Sequence, residues 1–392
     1  MFSLNNILLL IIFISIFLII YIFFIYPTLL FIISSFKKND NLAHTDLLDT
    51  ENLPEITIVI AAYNEENNIE DAINSIFNDG YPHNKLKVLV GIDGKTDNTD
   101  IKIQELQKQY PDRIEYKILA HGGKNSVLNQ IIPLITTKYF MVMDADLRLR
   151  KNTIGKLVSP MQNKSTGIVL ANINISHGTN QTNAGSLGER TYQKFETYIR
   201  TAETKIKSTV NAFICLLCKT ELFEKIPNAL VCDDLFFVLL ANYKHKRVVF
   251  REDAIIDEIS SKSLHGEVRR RERMVAGSLA TIKHFWKLLL PSYGWTAFFL
   301  WSHKLLRYFI PMYLLIIAIS TLFLESSTLK DILIYSQIII YSLSIMGVIA
   351  EKLKVSILPL KLLSFFLMMN HGFVRGIIRF IAGEQNSSWK RE

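Results

Sequence analysis

Only three cysteines occur in 392 residues, which excludes a disulfide framework as the source of stability. Cys215 and Cys218 form a CxxC, but zinc needs a second pair or suitably spaced histidines. The surrounding FICLLCK is apolar, so packed thiols are expected. No fixed-period repeat and no Gly-rich low-complexity tract is present. Neither usual phosphate cradle occurs: there is no GxGxxG after the first strand-like run and no GxxxxGK[ST]. The first apolar block lacks a basic n-region and a small-residue cleavage site, so it reads as a retained membrane helix and not as a signal peptide.

What the chain has in excess is apolar sequence, 49% of its residues, unevenly spread. Leu4 to Phe36 form an almost unbroken apolar block, longer than the ~20 residues that span a bilayer. Lys37 and Lys38 follow at once and place that end in the cytoplasm by the positive-inside rule. Two further apolar runs, 307–324 and 332–350, read as C-terminal spans. A third candidate, 355–382, contains Lys361, His371, Arg375 and Arg379. The stretch 284–301 carries Trp286, Trp295 and Trp301 among apolar and polar residues, the composition of a helix lying at the membrane interface. The alternative for it is an amphipathic core helix. The expected organisation is a transmembrane helix over 4–36, a polar linker, a globular domain over 54–283, an interfacial helix over 284–302 and two to three transmembrane helices over 303–383. The formal net charge is +8. Its basic clusters, KK at 37–38, RRRER at 269–273 and the C-terminal KR, flank membrane segments, so anionic lipid and not nucleic acid is the expected partner.

In the globular part, short β-branched runs alternate with helical periodicity. ITIVIAA (56–62), KVLVGI (87–92), IEYKILA (114–120) and YFMVM (139–143) read as strands covered on both faces, each followed by a helix. Four such units imply an α/β fold with a doubly wound, mostly parallel sheet, whose ligands bind beyond the carboxyl ends of the strands. Those ends deliver YNEE, DGKTDNTD, HGGKNSVLN and DAD, which gather Asn64, Glu65, Asp93, Lys124, Asp144 and Asp146 along one edge. Acid at the end of an apolar strand is costly unless paired. Without a glycine cradle, a diphosphate can still be held through Mg²⁺ or Mn²⁺, which takes one or two carboxylates together with phosphate oxygens and water. Asp144 and Asp146 suit that anchor.

Several ordered motifs resemble those of family 2 inverting glycosyltransferases, in particular the membrane-bound polysaccharide synthases of bacteria. AAYNEENNIEDAINSI resembles P-x-Y-N-E-x-x-x-I, IDGKTDNT resembles D-D-G-S-x-D-x-T with Ile92 and Lys95 as departures, GGKNSVLN resembles G-K-x-x-A-L-N, and MDAD resembles the D-x-D. VCDDLFF (231–237) resembles the T-E-D segment, and VRRRERMVAG (268–277) sits where Q-x-x-R-W is found. The resemblance covers about residues 54–280. It implies a GT-A fold, a nucleotide-sugar donor such as a UDP-sugar, and a glycan or lipid-linked acceptor at the bilayer. Tyr63, Glu65, Asp93, Lys124 and Asp144 are implied to bind the nucleotide sugar, and Asp146 with Asp144 the metal. Asp234 is implied as catalytic base with Asp233 beside it, and Arg273 as a charge offsetting the leaving diphosphate. Methionine at position 274 replaces the tryptophan implied to stack on the acceptor, which weakens the case for processive polymerisation. Single-sugar transfer to a polyprenyl-phosphate carrier, a nucleotidyltransferase and an inactive membrane scaffold are the competing readings.

Overall fold

The computed structural model describes residues 3–37, 53–176, 184–212, 215–259, 264–353, 355 and 357–384. Most of the expected linker, and the C-terminal residues from Gln385 on, lie outside the described residues. Among the described residues the central sheet has eight strands: β1 (Ile56–Ala62), β2 (Leu86–Asp93), β3 (Ile114–Leu119), β4 (Tyr139–Val142), β5 (Leu147–Leu149), β6 (Thr166–Ser176), β7 (Leu216–Lys219) and β8 (Arg247–Ile259). Their spatial order is β3-β2-β1-β4-β7-β6-β8-β5.

The first four strands are the four expected from sequence, and they pair in parallel. Every residue of β1 is buried, as a strand covered on both faces requires. The second half of the sheet is mixed: β7 runs antiparallel to β4 and β6, while β6 and β8 pair in parallel. Helical periodicity could not announce this half, because an antiparallel neighbour needs no crossover helix.

The sheet separates two apolar cores. One holds Ile58, Ile60, Ile73, Ile103 and Ile154; the other holds Val127, Leu128, Phe140, Phe236 and Phe237. Each fully buried side chain of this size is worth about 1.5–3 kcal/mol. Cys215 belongs to the first core and Cys218 to the second. The two free thiols therefore face opposite sides of the sheet and act as packed apolar groups. Burial pushes Cys215 up to about 12.

Among the described residues, two helices are long and apolar enough to cross a bilayer, Leu4–Ser35 and Thr328–Ala350. The expected span over 307–324 is not a straight helix. Its core, Ile310–Leu322, follows Trp295–Tyr308 with a bend of 55°, at Phe309 and just ahead of Pro311. The expected helix over 284–301 is broken as well: short 3₁₀ turns at Trp286–Leu289 and Pro291–Tyr293 precede Trp295–Phe299. Pro291 cannot continue a helix, and Gly294 takes φ of 53°. Leu358–Ile381 is helical and packs on Leu264–His284. A Cβ on Gly372 or Gly376 would lie 2.7 Å from the Cβ of Arg271 or Val275. Arg375 Nε also reaches Glu272 at 2.8 Å.

Candidate active site

The carboxyl ends of β1 to β4 form the edge at which the sequence gathers its polar residues. After β1 the chain turns through Asn64, whose φ is 55°. Glu65, 1% exposed, accepts from Asn68 Nδ2 at 2.8 Å, and its amide donates to Thr99 Oγ1 at 3.0 Å. At the end of β2, Asp93 is fully buried. Its two oxygens accept the amides of Gly122 and Gly123 at 2.7 and 2.9 Å, and His121 Nδ1 lies 3.1 Å from it. The Tyr63 and His121 rings sit 5.0 Å apart. Asp93 thus braces the loop that starts the helix Lys124–Ile131.

Gly91 in β2 sets how closely that helix lies on the sheet, since a Cβ there would fall 2.3 Å from Val127 Cγ1. The helix presents Lys124, whose ammonium reaches Asp144 Oδ1 at 2.7 Å and Asp233 Oδ2 at 3.0 Å. Burial works against the Lys124 charge, but the two carboxylates outweigh it and hold its proton more tightly than in a free lysine. Asp144, Ala145 and Asp146 form the turn between β4 and β5, closed by the Leu147 amide donating to the Asp144 carbonyl at 3.2 Å. Both aspartates are partly exposed there.

Asp233 opens the helix Asp233–Tyr243, where the aligned peptide dipoles favour negative charge. Burial, helped by the Asp234 and Asp144 charges and opposed by Lys124, pushes its carboxyl up to about 6. Asn125 Nδ2 donates to the Leu230 carbonyl at 2.6 Å. The Asn129 side chain makes two 2.8 Å bonds with the Ile226 backbone. These asparagines tie the approach to Asp233 onto the helix that carries Lys124. Asp234 is partly exposed, and its Oδ1 accepts the Leu235 amide at 2.7 Å. Arg273 is exposed on Leu264–His284, close enough for its charge to act on Cys232.

Lys124, Asp144 and Asp233 are therefore joined directly. Asp146 is two residues from Asp144 and Asp234 next to Asp233, while Glu65 and Asp93 brace loops. The sequence reading did not single out His121, Asn125 or Asn129, although all three lie inside the HGGKNSVLN segment it recognised. Among the described residues no group of three or more His, Cys, Asp or Glu side chains could hold a metal ion. The pair Asp144 and Asp146 fits a cation only if a bound diphosphate completes its shell.

Residues 57–227 match the model for Glycosyl transferase family 2. The chain carries a family 2 glycosyltransferase domain. Curated relatives are similar over shorter stretches. A beta-monoglucosyldiacylglycerol synthase of Nostoc sp. is 34% identical over 122 residues, 30% of this chain and 25% of that protein. A poly-beta-1,6-N-acetyl-D-glucosamine synthase of Staphylococcus aureus is 31% identical over 99 residues, 25% of this chain and 23% of that one. The alignment thus spans about a quarter of these relatives' length. The fold is similar to that of a mannosyltransferase from Pyrobaculum calidifontis, solved with GDP-Man and Mn²⁺. The TM-score is 0.69 at 18% identity, over 95% of this chain and 99% of that one. The GT-A architecture expected from the motifs is thereby confirmed. The family match stops at residue 227, so Asp233, Asp234 and Arg273 rest on the structure and on the resemblance of their motifs.

Proposed function

We propose that this glycosyltransferase moves a sugar from a nucleoside-diphosphate donor, a UDP-sugar by our reading, to a polysaccharide or lipid-linked glycan at the membrane, with inversion at the anomeric carbon. The observation that carries this is the joining of Lys124 to both Asp144 and Asp233, which leaves the partly exposed Asp234 beside them. Lys124 lies where charge builds up on the departing diphosphate, and Arg273 adds a second cation. Asp234 accepts the proton of the acceptor hydroxyl as that oxygen attacks C1 of the donor sugar. One displacement needs no carboxylate nucleophile, so an α-linked donor gives a β-glycoside. The nucleoside is held among Tyr63, His121 and the loops that Glu65 and Asp93 brace. Asp144 and Asp146 would hold Mg²⁺ or Mn²⁺ against the diphosphate, where the cation neutralises leaving-group charge. The Mn²⁺ and GDP-Man in the similar mannosyltransferase support this reading.

Met274, 39% exposed, stands where a stacking tryptophan would grip a growing glycan. That favours a second reading, transfer of one sugar to a polyprenyl-phosphate carrier. On this reading the chain is a multi-pass protein of the cell membrane with the domain on the cytoplasmic side. A screen of nucleotide sugars on the purified full chain, reading released nucleoside diphosphate with and without Mn²⁺, tests the donor and the metal. Release with any donor, lost in chelator, is expected; pyrophosphate release from a nucleoside triphosphate and a sugar phosphate would mark a nucleotidyltransferase instead. Product NMR decides inversion and chain length.

A further inference from the structure

Between the 3₁₀ turn Thr220–Leu222 and the helix that opens at Asp233, residues 223–232 belong to neither helix nor strand. Such a segment has no ladder to hold it, so its buried amides and carbonyls need other partners. Ile226 and Leu230 are buried in the core that holds Phe236 and Phe237, which sets the depth of the segment. Apolar burial is non-directional, however, and the register along the neighbouring helix has to come from directed bonds.

Two asparagines on the helix Lys124–Ile131 supply them. Asn125 and Asn129 are four residues apart and so share one face of that helix. The Asn129 side chain donates to the Ile226 carbonyl and accepts the Ile226 amide, both at 2.8 Å. Asn125 Nδ2 donates to the Leu230 carbonyl at 2.6 Å. Further along, Asp233 meets the ammonium of Lys124, on the same helix, at 3.0 Å. From the helix Leu264–His284, a Cβ on Gly277 would come within 2.5 Å of Cys232 Sγ, so that helix leaves the segment little slack. The two kinds of tie respond differently to the reaction. The Lys124–Asp233 pair is ionic, and a diphosphate beside Lys124 draws on the same ammonium. The asparagine bonds are neutral and persist as charge arrives and leaves. Direct displacement needs base and leaving group on opposite sides of C1, where a misplacement of about 1 Å can cost about 10²-fold.

We propose that Asn125 and Asn129 are positioning residues for sugar transfer: they keep the segment that leads into Asp234 in register with the helix that carries Lys124, so that base and leaving-group cation hold their spacing while donor is bound. The proposal rests on Asp234 being the base. Asn129→Ala removes both bonds to Ile226 at a partly exposed position. Its turnover should fall about 5–50-fold, while the calorimetric affinity for the nucleoside diphosphate of the active donor and the donor KM stay within about twofold. Asn125→Leu, which removes the donor to Leu230, should show the same pattern. Residues acting through one another are non-additive, so in an Asp234→Asn background Asn129→Ala should cost less than about twofold further. Full additivity there, normal turnover of folded Asn129→Ala, or an equal loss of diphosphate affinity would overturn the proposal and leave the assignment of Asp234 standing. Near-normal turnover of Asp234→Asn alone would instead overturn that assignment, and the proposal with it. If Asn129→Ala fails to fold, Asn129→Asp keeps the shape and the acceptor for the Ile226 amide and removes only the donor. A loss of about 3–10-fold in turnover with the same non-additivity is then expected, and an unchanged rate would refute the proposal.

Discussion

Asp233 and Asp234 are neighbours in sequence with different surroundings. Asp233 is buried against Lys124, whereas Asp234 is partly exposed and bonded to its own helix start. Asp234→Asn keeps the shape and removes the proposed proton acceptor, so turnover should drop about 10²–10⁴-fold, the usual worth of a positioned base. Calorimetric binding of nucleoside diphosphate should barely change. If that binding is abolished, the pair belongs to the donor site and the base lies elsewhere. Asp146→Asn should weaken Mn²⁺-dependent nucleotide binding as well as turnover if, as proposed, its carboxylate serves the leaving group and not the acceptor.

The raised Asp233 carboxyl also gives a stability test. Its ordinary value is 3.8 and its value in the fold is about 6, so the folded state binds the proton more tightly. Its contribution to stability is complete below pH 3.8, declines as pH rises through about 6, and is level above. Asp233→Asn should therefore gain stability relative to the parent as pH goes from about 4 to about 8, by at most roughly 3 kcal/mol, seen as a rise in its relative Tm. Thermal scans of donor-free protein at the two pH values measure this. An equal Tm difference at both would show that Lys124 had already cancelled the burial cost.

At the scale of elements, the parallel half of the sheet was legible almost to the residue. β1 coincides with ITIVIAA and β3 begins at Ile114 as expected, because strands buried on both faces are continuous apolar runs. The site was legible where it sits on those strand ends. The D-x-D pair, Lys124 and the 233–234 acids all fall on the one edge. The mixed half was not legible, because its strands pair with partners distant in sequence and lack the strand–helix alternation of the parallel half. The buried polar cluster of Glu196, Glu203, His303 and Arg307 was illegible for a different reason. Its histidine and arginine sit in a stretch whose average is apolar, remote in sequence from the two glutamates.

Two outcomes follow at this scale. Gly91→Val would force the helix Lys124–Ile131 off β2, since even a Cβ there falls 2.3 Å from Val127. A loss of about 1–3 kcal/mol is expected, together with weaker nucleotide binding as Lys124 moves. Gly294, with nothing within 4 Å of its Cβ position, serves as control for denaturation and binding assays, its own cost being only the strain of a positive φ. Tyr26→Phe removes one hydroxyl from Glu203 on the N-terminal apolar helix. It should cost about 1–3 kcal/mol of stability, since a buried carboxylate loses a donor; a Tm unchanged from the parent would show that Thr209 and His303 satisfy Glu203 without it.

The whole molecule sets the last expectation, which concerns sidedness. Tyr26 at the lower part of the first apolar helix packs into the glycosyltransferase domain through Glu203, and Tyr198 Oη donates to the Pro27 carbonyl at 3.1 Å. The domain is thus fixed to the end of Leu4–Ser35 that carries Lys37, and cannot swing to the other side of a bilayer without breaking buried bonds. Positive residues stay on the cytoplasmic side, and nucleotide sugars are cytoplasmic substrates, so the two requirements agree. In inverted vesicles, protease should cut within 54–280 and added donor should be consumed; in right-side-out vesicles both should be blocked until detergent is added. The donor assay matters because a compact domain can resist protease on either side. Cleavage and turnover from the outside alone would reverse the orientation while leaving the chemistry at Lys124, Asp144 and Asp233 intact. The donor would then have to reach the site from the outer face.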